Sequence, residues 1–428
     1  MKLAIGIDDT DSRERGMCTT YLAAVVAERL SPHAVERDRV LFRLNPNAPH
    51  RTRGNAALAL YVETERPDRV RETVVDAVDE LAVIDDPNTN PGVAFHEGDV
   101  PQALADEAIR TVREIRDIDE VRDVAGSHDV DVREWGNGRG VIGAVAALGS
   151  RRALEAYGDE TCELIGYRRR ERWGTEREYG VEGFRELERS LSPEVFDTYD
   201  DGAVAVPSTP CPVLYGLRGT YNGVIRAASY LDTEDVARCS VYRTNQATDM
   251  HVVEPRSADD LVELGSYAVR GRVTSEARTE RGGHVFVEVE PDVDGVDRLT
   301  CAAFEPTKDL RSVVRRLREG DVVRLTGSLV DYTLNLERVE VVDLVRHEQV
   351  KPRCCGRVTE SLGRNQGYRC RECRETYDGL ARREVERELG EEGYEVPPSA
   401  RRHLTKPLAR EKNRKPEASA RTSRTGNA

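Results

Sequence analysis

The sequence predicts an α+β multidomain protein, with an α/β body, a small β-barrel and a cysteine-rich ribbon in that order. Three observations carry this. Strand-like apolar runs alternate with helix-periodic segments through the N-terminal part, which implies an α/β or α+β core. From Ser266 the texture changes to short alternating runs separated by glycine turns. Four cysteines, Cys354, Cys355, Cys370 and Cys373, then crowd together. At roughly 100–200 residues per domain, a chain of 428 residues is too long for one core.

The chain opens on an apolar run, 3–7, that reads as a strand and passes at once into Asp8-Asp9-Thr10-Asp11-Ser12. Cys18-Thr19-Thr20 leads into LAAVVAERL, a helix that begins near Tyr21 and ends before Ser31-Pro32. Residues 39–43 and 56–62 are strand-like, with the turn-rich NPNAPHRTRGN between them, and 68–81 has helical periodicity. Two more turn-rich loops, IDDPNTNPGVAF (84–95) and EWGNGRGVIGAVAALG (134–149), lie where a strand or loop passes to a helix, the usual ligand position in α/β folds. An Arg-rich stretch (167–180) precedes VPSTPCPVLYGLRG (206–219), whose Pro and Gly content predicts a binding loop or interdomain connection and not an element interior. Five alternating runs at 267–273, 284–290, 299–304, 322–330 and 334–345, with a helix-like segment at 308–319, give the pattern of an OB-type Greek-key barrel. Past Val396-Pro397-Pro398 the chain reads as a basic tail with a disordered end.

Composition excludes some classes. No stretch approaches the roughly 18 apolar residues of a membrane span, and the first residues turn acidic too soon for a secretory signal, so a cytoplasmic protein is expected. The net charge of −14 would argue against nucleic acid if taken alone. However, of 64 basic residues only 6 are Lys, and an acidic, Arg-rich, Lys-poor chain suits a salt-adapted cytosol where long-range fields are screened. Charge is also uneven, since residues from 351 onward carry +7 and the preceding body −21. Nine cysteines without a signal sequence do not make a disulfide framework.

Three motifs carry chemistry. Asp8, Asp9 and Asp11 repel one another unless a cation compensates them, and hard oxygen ligands with hydroxyls nearby suit Mg²⁺; the alternative is a solvated acidic loop. Gly136-Asn137-Gly138-Arg139-Gly140 before a helix could expose backbone N–H groups to a phosphate; it lacks the Gly-Lys-Ser/Thr of a Walker loop and alone reads as a plain turn, but paired with the acidic cluster it makes a credible nucleotide-triphosphate site. Cys354-Cys355-Gly356 with Cys370-x-x-Cys373 resembles two zinc-ribbon knuckles. Adjacent cysteines are expected to point apart, which leaves two readings open. One is a metal-free ribbon; the other is one zinc held by Cys370, Cys373 and Cys354 or Cys355, with the second of that pair or His347 as fourth ligand. Barrel, ribbon and basic tail together suit nucleic-acid recognition, with protein–protein contact as the bland alternative.

The strings GIDDTDS, GMCTTYL, DDPNTNPG, GRGVIGA, GTEREY, PSTPCPVLYGLRG, GRNQGYRC and YEVPPSARRHL, in order to about residue 410, closely resemble the archaeal tRNA-isoleucine 2-agmatinylcytidine synthetase family. The resemblance implies a kinase-like catalytic domain (1–195), a ferredoxin-like domain (196–265), an OB-fold (266–346), a zinc ribbon (347–395) and a basic tail (396–428). It implies an enzyme that uses ATP and Mg²⁺ to activate carbon 2 of the wobble cytidine in the CAU anticodon of an isoleucine tRNA, after which agmatine displaces the activated oxygen. Carried over by position, Asp8, Asp9 and Asp11 are the metal-binding loop and Thr19 a self-phosphorylating threonine. Gly138, Arg139, Gly140 and Gly143 hold ATP phosphates, and Pro210, Cys211 and Tyr215 are agmatine candidates. The family's first knuckle is usually Cys-Pro-x-Cys-Gly and is contracted here, which puts Zn²⁺ in question. The competing class is a non-catalytic nucleic-acid-binding protein, and a third is a small-molecule kinase with an RNA module.

Overall fold

The computed structural model describes residues 1–50 and 54–411. The segment TRGN therefore lies partly outside the described residues, as does the end of the expected tail. The N-terminal part contains β1 (Lys2–Asp8), α1 (Thr19–Leu30), β2 (Ala34–Arg43), β3 (Ala56–Thr64), α2 (Pro67–Leu81), β4 (Gly92–Glu97), α3 (Gln102–Arg113), α4 (Ile118–Ser127), β5 (Asp131–Glu134) and α5 (Gly140–Tyr157). It continues through β6 (Thr161–Arg168), α6 (Val181–Leu191), β7 (Val195–Phe196), β8 (Val213–Gly219), α7 (Tyr221–Ala228) and β9 (Val236–Thr244). These strands make one nine-stranded sheet in the order β5-β4-β1-β3-β2-β9-β6-β8-β7. Every pairing is antiparallel except β2 with β9, where Val40 and Leu41 meet Arg243 and Thr244 in parallel and join the two halves.

Alternation along β1 decides what each face packs against. Leu3, Ile5 and Ile7 point to one side and share a core with Leu22 and Val26 of α1 and Val70 and Val74 of α2. Ala4, Gly6 and Asp8 point to the other side, toward α5, because strand side chains alternate with period two. This side must be small: a Cβ at Gly6 would overlap the Ala144 carbonyl, and one at Gly143 would overlap Asp8 Oδ2. Gly140 in turn meets the backbone of Gly92 in β4. The glycines of GRGVIGA therefore let the helix lie directly on the sheet.

The second unit contains β10 (Val252–Val253), β11 (Ser266–Val273), β12 (Arg278–Thr279), β13 (Val285–Pro291), β14 (Leu299–Ala303), α8 (Asp309–Arg315), β15 (Val322–Val330) and β16 (Thr333–Asp343). Its five long strands close into a barrel through the β11–β13 and β14–β16 pairings, with α8 between the third and fourth. The inward positions Val269, Val287, Cys301, Leu325 and Val339 fill its core. Short strands follow: β17 (His347–Val350), β18 (Arg353–Cys354), β19 (Arg357–Val358), β20 (Glu360–Ser361), β21 (Tyr368–Arg369), β22 (Thr376–Tyr377), β23 (Ala381–Glu384) and β24 (Gly393–Glu395), then the short α9 (Leu408–Glu411).

Two expectations are corrected. The 206–219 segment is not all loop, since 213–219 forms β8 between β6 and β7. Its glycines mark close approaches: a Cβ at Gly216 would press on Glu163 and one at Gly219 on the Glu194 carbonyl. Residues 396–411 are not a free tail either. They form a strap that returns to the body, where Leu404 and Thr405 are buried and Lys406 Nζ binds Asp159 at 2.6 Å. Residues 412–428 lie outside the described residues. No described helix is long and apolar enough to cross a membrane.

Candidate active site and cysteine cluster

A cavity of about 860 Å³ opens at the end of β1, between the starts of α1 and α5 and the face of the sheet that carries Leu41, Arg43, Glu163, Ile165 and Arg218. Its walls come from segments far apart in sequence: the Asp8–Thr20 region, the β2–β3 connection, the end of α3, the start of α5, β6, the 204–218 segment and the strap. Asp8, Asp9, Asp11 and Thr19 all line it. Helix α1 starts at Thr19, two residues earlier than the sequence suggests, because extended Cys18 already accepts the Leu22 N–H. Thr19 Oγ1 sits 3.1 Å from Thr10 Oγ1, on the helix's first residue.

The three aspartates differ in environment. Asp9 has a left-handed backbone (φ 54°), and its Oδ2 accepts from Arg139 Nη2 at 3.0 Å and from the Asn90 N–H at 3.1 Å. Asp8 faces Gly143, and burial together with the neighbouring Asp9 carboxylate raises its carboxyl well above the usual range. Among the described residues, the one group of three or more ligand side chains that converges is the cysteine cluster; the aspartates do not form such a group. Asp9 is turned to Arg139, and Asp8 and Asp11 line the cavity beside it. One or two carboxylates are what Mg²⁺ takes when phosphates and waters complete its shell, so the residues present fit that ion.

The glycine-rich turn is arranged differently from the expected backbone cradle. The N–H groups of Gly140, Val141 and Ile142 are already donated to Asn90, Gly138 and Arg139 carbonyls. Gly138 and Gly140 do not line the cavity; the Arg139 side chain and Gly143 do. Of the agmatine candidates only Cys211 lines it. Tyr215 lies buried against Gly166, and Pro210 packs its carbonyl on Gly16. Arg177, from the GTEREY string, holds this loop through the Thr209, Cys211 and Val213 carbonyls at 2.9, 3.2 and 3.0 Å.

The cavity floor was not legible in the sequence. Arg43 reaches Glu163 at 3.4 Å, and Glu163 also accepts from Gln246 at 2.5 Å. Arg218 lies 3.5 Å from Asp197 and donates to His403 Nδ1 at 3.1 Å. No local spacing marks these residues, because their partners lie up to 185 positions away.

In the ribbon, all four thiols converge within 4.8 Å of one another. The contracted knuckle does not point apart as expected. Cys355 and Gly356 both have positive φ (49° and 76°), the signature of a two-residue type I′ hairpin turn between β18 and β19. That reversal brings Cys354 Sγ within 3.9 Å of Cys355 Sγ and 3.3 Å of Cys373 Sγ. Tetrahedral zinc with Zn–S near 2.3 Å needs sulfurs about 3.8 Å apart, so the donor set fits. Backbone N–H groups of Cys373 and Glu372 draw the Cys370 thiol down to about 7. His347 is no ligand here, since it pairs with Glu384 in β17–β23 and accepts from Arg382 at 2.9 Å.

Three family models match: the TiaS TCKD domain at residues 4–137, the TiaS FLD domain at 138–251 and the TiaS C-terminal zinc ribbon domain at 351–389. The chain is 45% identical over 424 residues to the 2-agmatinylcytidine synthetase TiaS of Archaeoglobus fulgidus, an enzyme named for an isoleucine tRNA, covering 96% of this chain and 98% of that one. This chain belongs to the TiaS family. Among solved structures it is similar to TiaS in complex with that isoleucine tRNA and ATP (TM-score 0.85, 44% identity, 96% and 97% of the two chains). It is likewise similar to TiaS with the same tRNA, AMPCPP and agmatine (TM-score 0.82, 41% identity, 96% and 97%). The first two TiaS models meet at 137/138, whereas the sequence reading keeps 1–195 together. Helix α5 begins the second of these units yet packs on β1, β3 and β4 of the first, so periodicity carries no mark of that division.

Proposed function

We propose that the chain is an ATP-dependent ligase that joins agmatine to carbon 2 of the wobble cytidine in the CAU anticodon of an isoleucine tRNA. The observation that carries this reading is the shared cavity into which the acidic loop, Thr19 and the first turn of α5 all open. A protein that only binds RNA has no need of buried, like-charged carboxylates beside a helix start. The cytosine C2 oxygen is a poor leaving group, so it first takes a phosphoryl group from ATP. Agmatine's unprotonated primary amine then forms the C–N bond as the C2–O bond breaks and the oxygen leaves with phosphate. Mg²⁺, when bound, neutralises phosphate charge, and Asp8 and Asp11 would hold it. Arg139, which binds Asp9 and lines the cavity, is assigned the role of steadying a phosphate. Cys211 and the 207–211 loop border the space left for agmatine. We read the barrel as an OB-fold from its connectivity, and assign it with the ribbon to tRNA recognition. The β6–β9 half is read as the ferredoxin-like unit.

The reading is tested by incubating the protein with ATP, agmatine and the tRNA and weighing the nucleoside at the wobble position. The expected mass gain is that of agmatine less water, and an unmodified cytidine overturns the assignment. Incubation with ATP alone is expected to phosphorylate Thr19, where a phosphate would gain about 0.3–1 kcal/mol from the α1 N-terminus. Peptide mass spectra with no phosphate on Thr19 refute that role.

For the ribbon, elemental analysis of protein purified without chelator is expected to give one zinc per chain, and Cys355→Ser to lower it as Cys370→Ser does. If Cys355→Ser keeps full zinc content, the contracted knuckle supplies a single ligand.

A further inference from the structure

We propose that His403, carried into the active cavity by the C-terminal strap, is a substrate-binding residue: its Nδ1 fixes Arg218 and its Nε2–H donates to an oxygen of the bound nucleotide or of the tRNA. The geometry sets the tautomer. Nδ1 lies 3.1 Å from Arg218 Nη1, and a guanidinium can only donate, so Nδ1 carries the lone pair and the ring proton sits on Nε2. Among the described residues Nε2 takes no hydrogen bond; it lies along Gly54, where a Cβ would stand 3.0 Å away, and both residues line the cavity. Gly54 thus keeps that edge of the ring clear.

The charges around the ring keep it neutral. Arg43 and Arg218 are the charged groups facing it, with Glu163 and Asp197 beyond them already paired to those arginines. Its neighbour Arg402 is turned away to Asn47 and Glu337. Burial, and then the two guanidinium charges, hold His403 well below the ordinary histidine value. The strap cannot drift from this position: Leu404 O accepts from Asp249 N at 2.9 Å, His403 O accepts from Ala247 N at 2.8 Å, and Arg401 is bound to Asp197 and Glu395.

A neutral N–H donor selects among the substrates. Protonated agmatine offers only donors, so Nε2–H has nothing to bind there; ATP and the tRNA supply oxygen acceptors. The inference deepens the proposed ligase reading, and its first test is independent of it. In full-length protein labelled with ¹⁵N-histidine, the His403 ring, identified among 8 histidines by its loss in His403→Gln, is expected to show the neutral Nε2–H pattern from pH 8 to below the usual histidine pKa. An Nδ1–H tautomer, or an imidazolium at pH 7, overturns the proposal. In the second arm, His403→Ala is expected to lower kcat/KM for ATP or for tRNA about tenfold or more, with the agmatine KM within about twofold. His403→Gln, which can place an N–H near Nε2, is expected to recover part of that loss. A rise in the ATP KM identifies a nucleotide phosphate as acceptor, and weaker tRNA binding identifies an RNA oxygen. A folded His403→Ala with unchanged constants, or a loss confined to the agmatine KM, overturns it. The magnetic-resonance arm reads the tautomer in the wild-type protein and uses a folded His403→Gln only to assign the signal.

Discussion

Asp8→Asn is expected to reduce agmatine incorporation by about 10²–10³-fold while leaving tRNA binding nearly unchanged, because it removes the carboxylate proposed to hold Mg²⁺ where phosphate charge must be balanced. Three facts single out Asp8 within the loop. Its side chain falls on the α5 face of β1, it stands against Gly143, and Asp9 is committed to Arg139. A carboxyl raised by burial and a neighbouring carboxylate is costly to ionise. The uncomplexed protein therefore gives up stability as pH rises through the folded Asp8 value, and Asn is expected to relieve this. The thermal midpoint of the metal-free variant is thus expected to match or exceed wild type. Added Mg²⁺ is expected to raise the midpoint of wild type but not of the variant, and to do so more strongly at higher pH, where fewer protons compete. Gly143→Ala supplies an independent check, since its Cβ would displace the Asp8 carboxylate without removing it. Near-normal turnover by Asp8→Asn would sink the metal assignment for this loop.

Asp321→Ala is expected to destabilise the barrel by about 3–5 kcal/mol, a loss measured by chemical unfolding at one fixed salt concentration. Asp321 and Arg387 form a fully buried ion pair, with side chains 0% and 2% exposed, joined by two bonds of 2.7 Å. Asp321 also accepts from the Val345 and Arg318 N–H groups at 2.9 and 2.8 Å. Truncating it strands a guanidinium in the interior with only carbonyls for company. Burial pushes the Asp321 carboxyl up, but Arg387 and the two N–H groups more than offset this and the net value lies below the usual range. Its contribution is therefore present above the ordinary carboxylate pKa and lost as pH falls through the lower folded one. The double variant Asp321→Ala/Arg387→Met is expected to recover part of the loss, since removing both charges restores an apolar contact. A near-wild-type unfolding midpoint for Asp321→Ala overturns this account. The pair lies where the chain leaving the ribbon returns to the barrel, so its loss is also expected to loosen the ribbon's attachment.

Local chemistry made much of this protein readable from its residues alone. Alternation and glycine turns mark the barrel strands, the 3.6-residue period marks α2, and the acidic residues after an apolar strand mark the loop that reaches the cavity. The four cysteines were legible as a cluster, and even the contracted knuckle follows a local rule, since Cys355-Gly356 satisfies a type I′ turn. Signals of this kind act over a few residues, and the chain carries them wherever it goes. Only the tertiary structure decided that VLYGLRG is a strand, that Gly140 and Gly143 serve helix-on-sheet packing, and that Arg402, His403 and Leu404 of the C-terminal strap line the cavity. In each case the deciding contact is long-range: Gly216 with Glu163, Gly143 with Asp8, His403 with Arg218. A glycine reads as a breaker until the backbone or carboxylate that needs its missing Cβ is brought alongside. Likewise, a basic segment reads as a solvated tail until buried carboxylates more than a hundred residues away are folded into its reach, where each charge is stable only because the other is there.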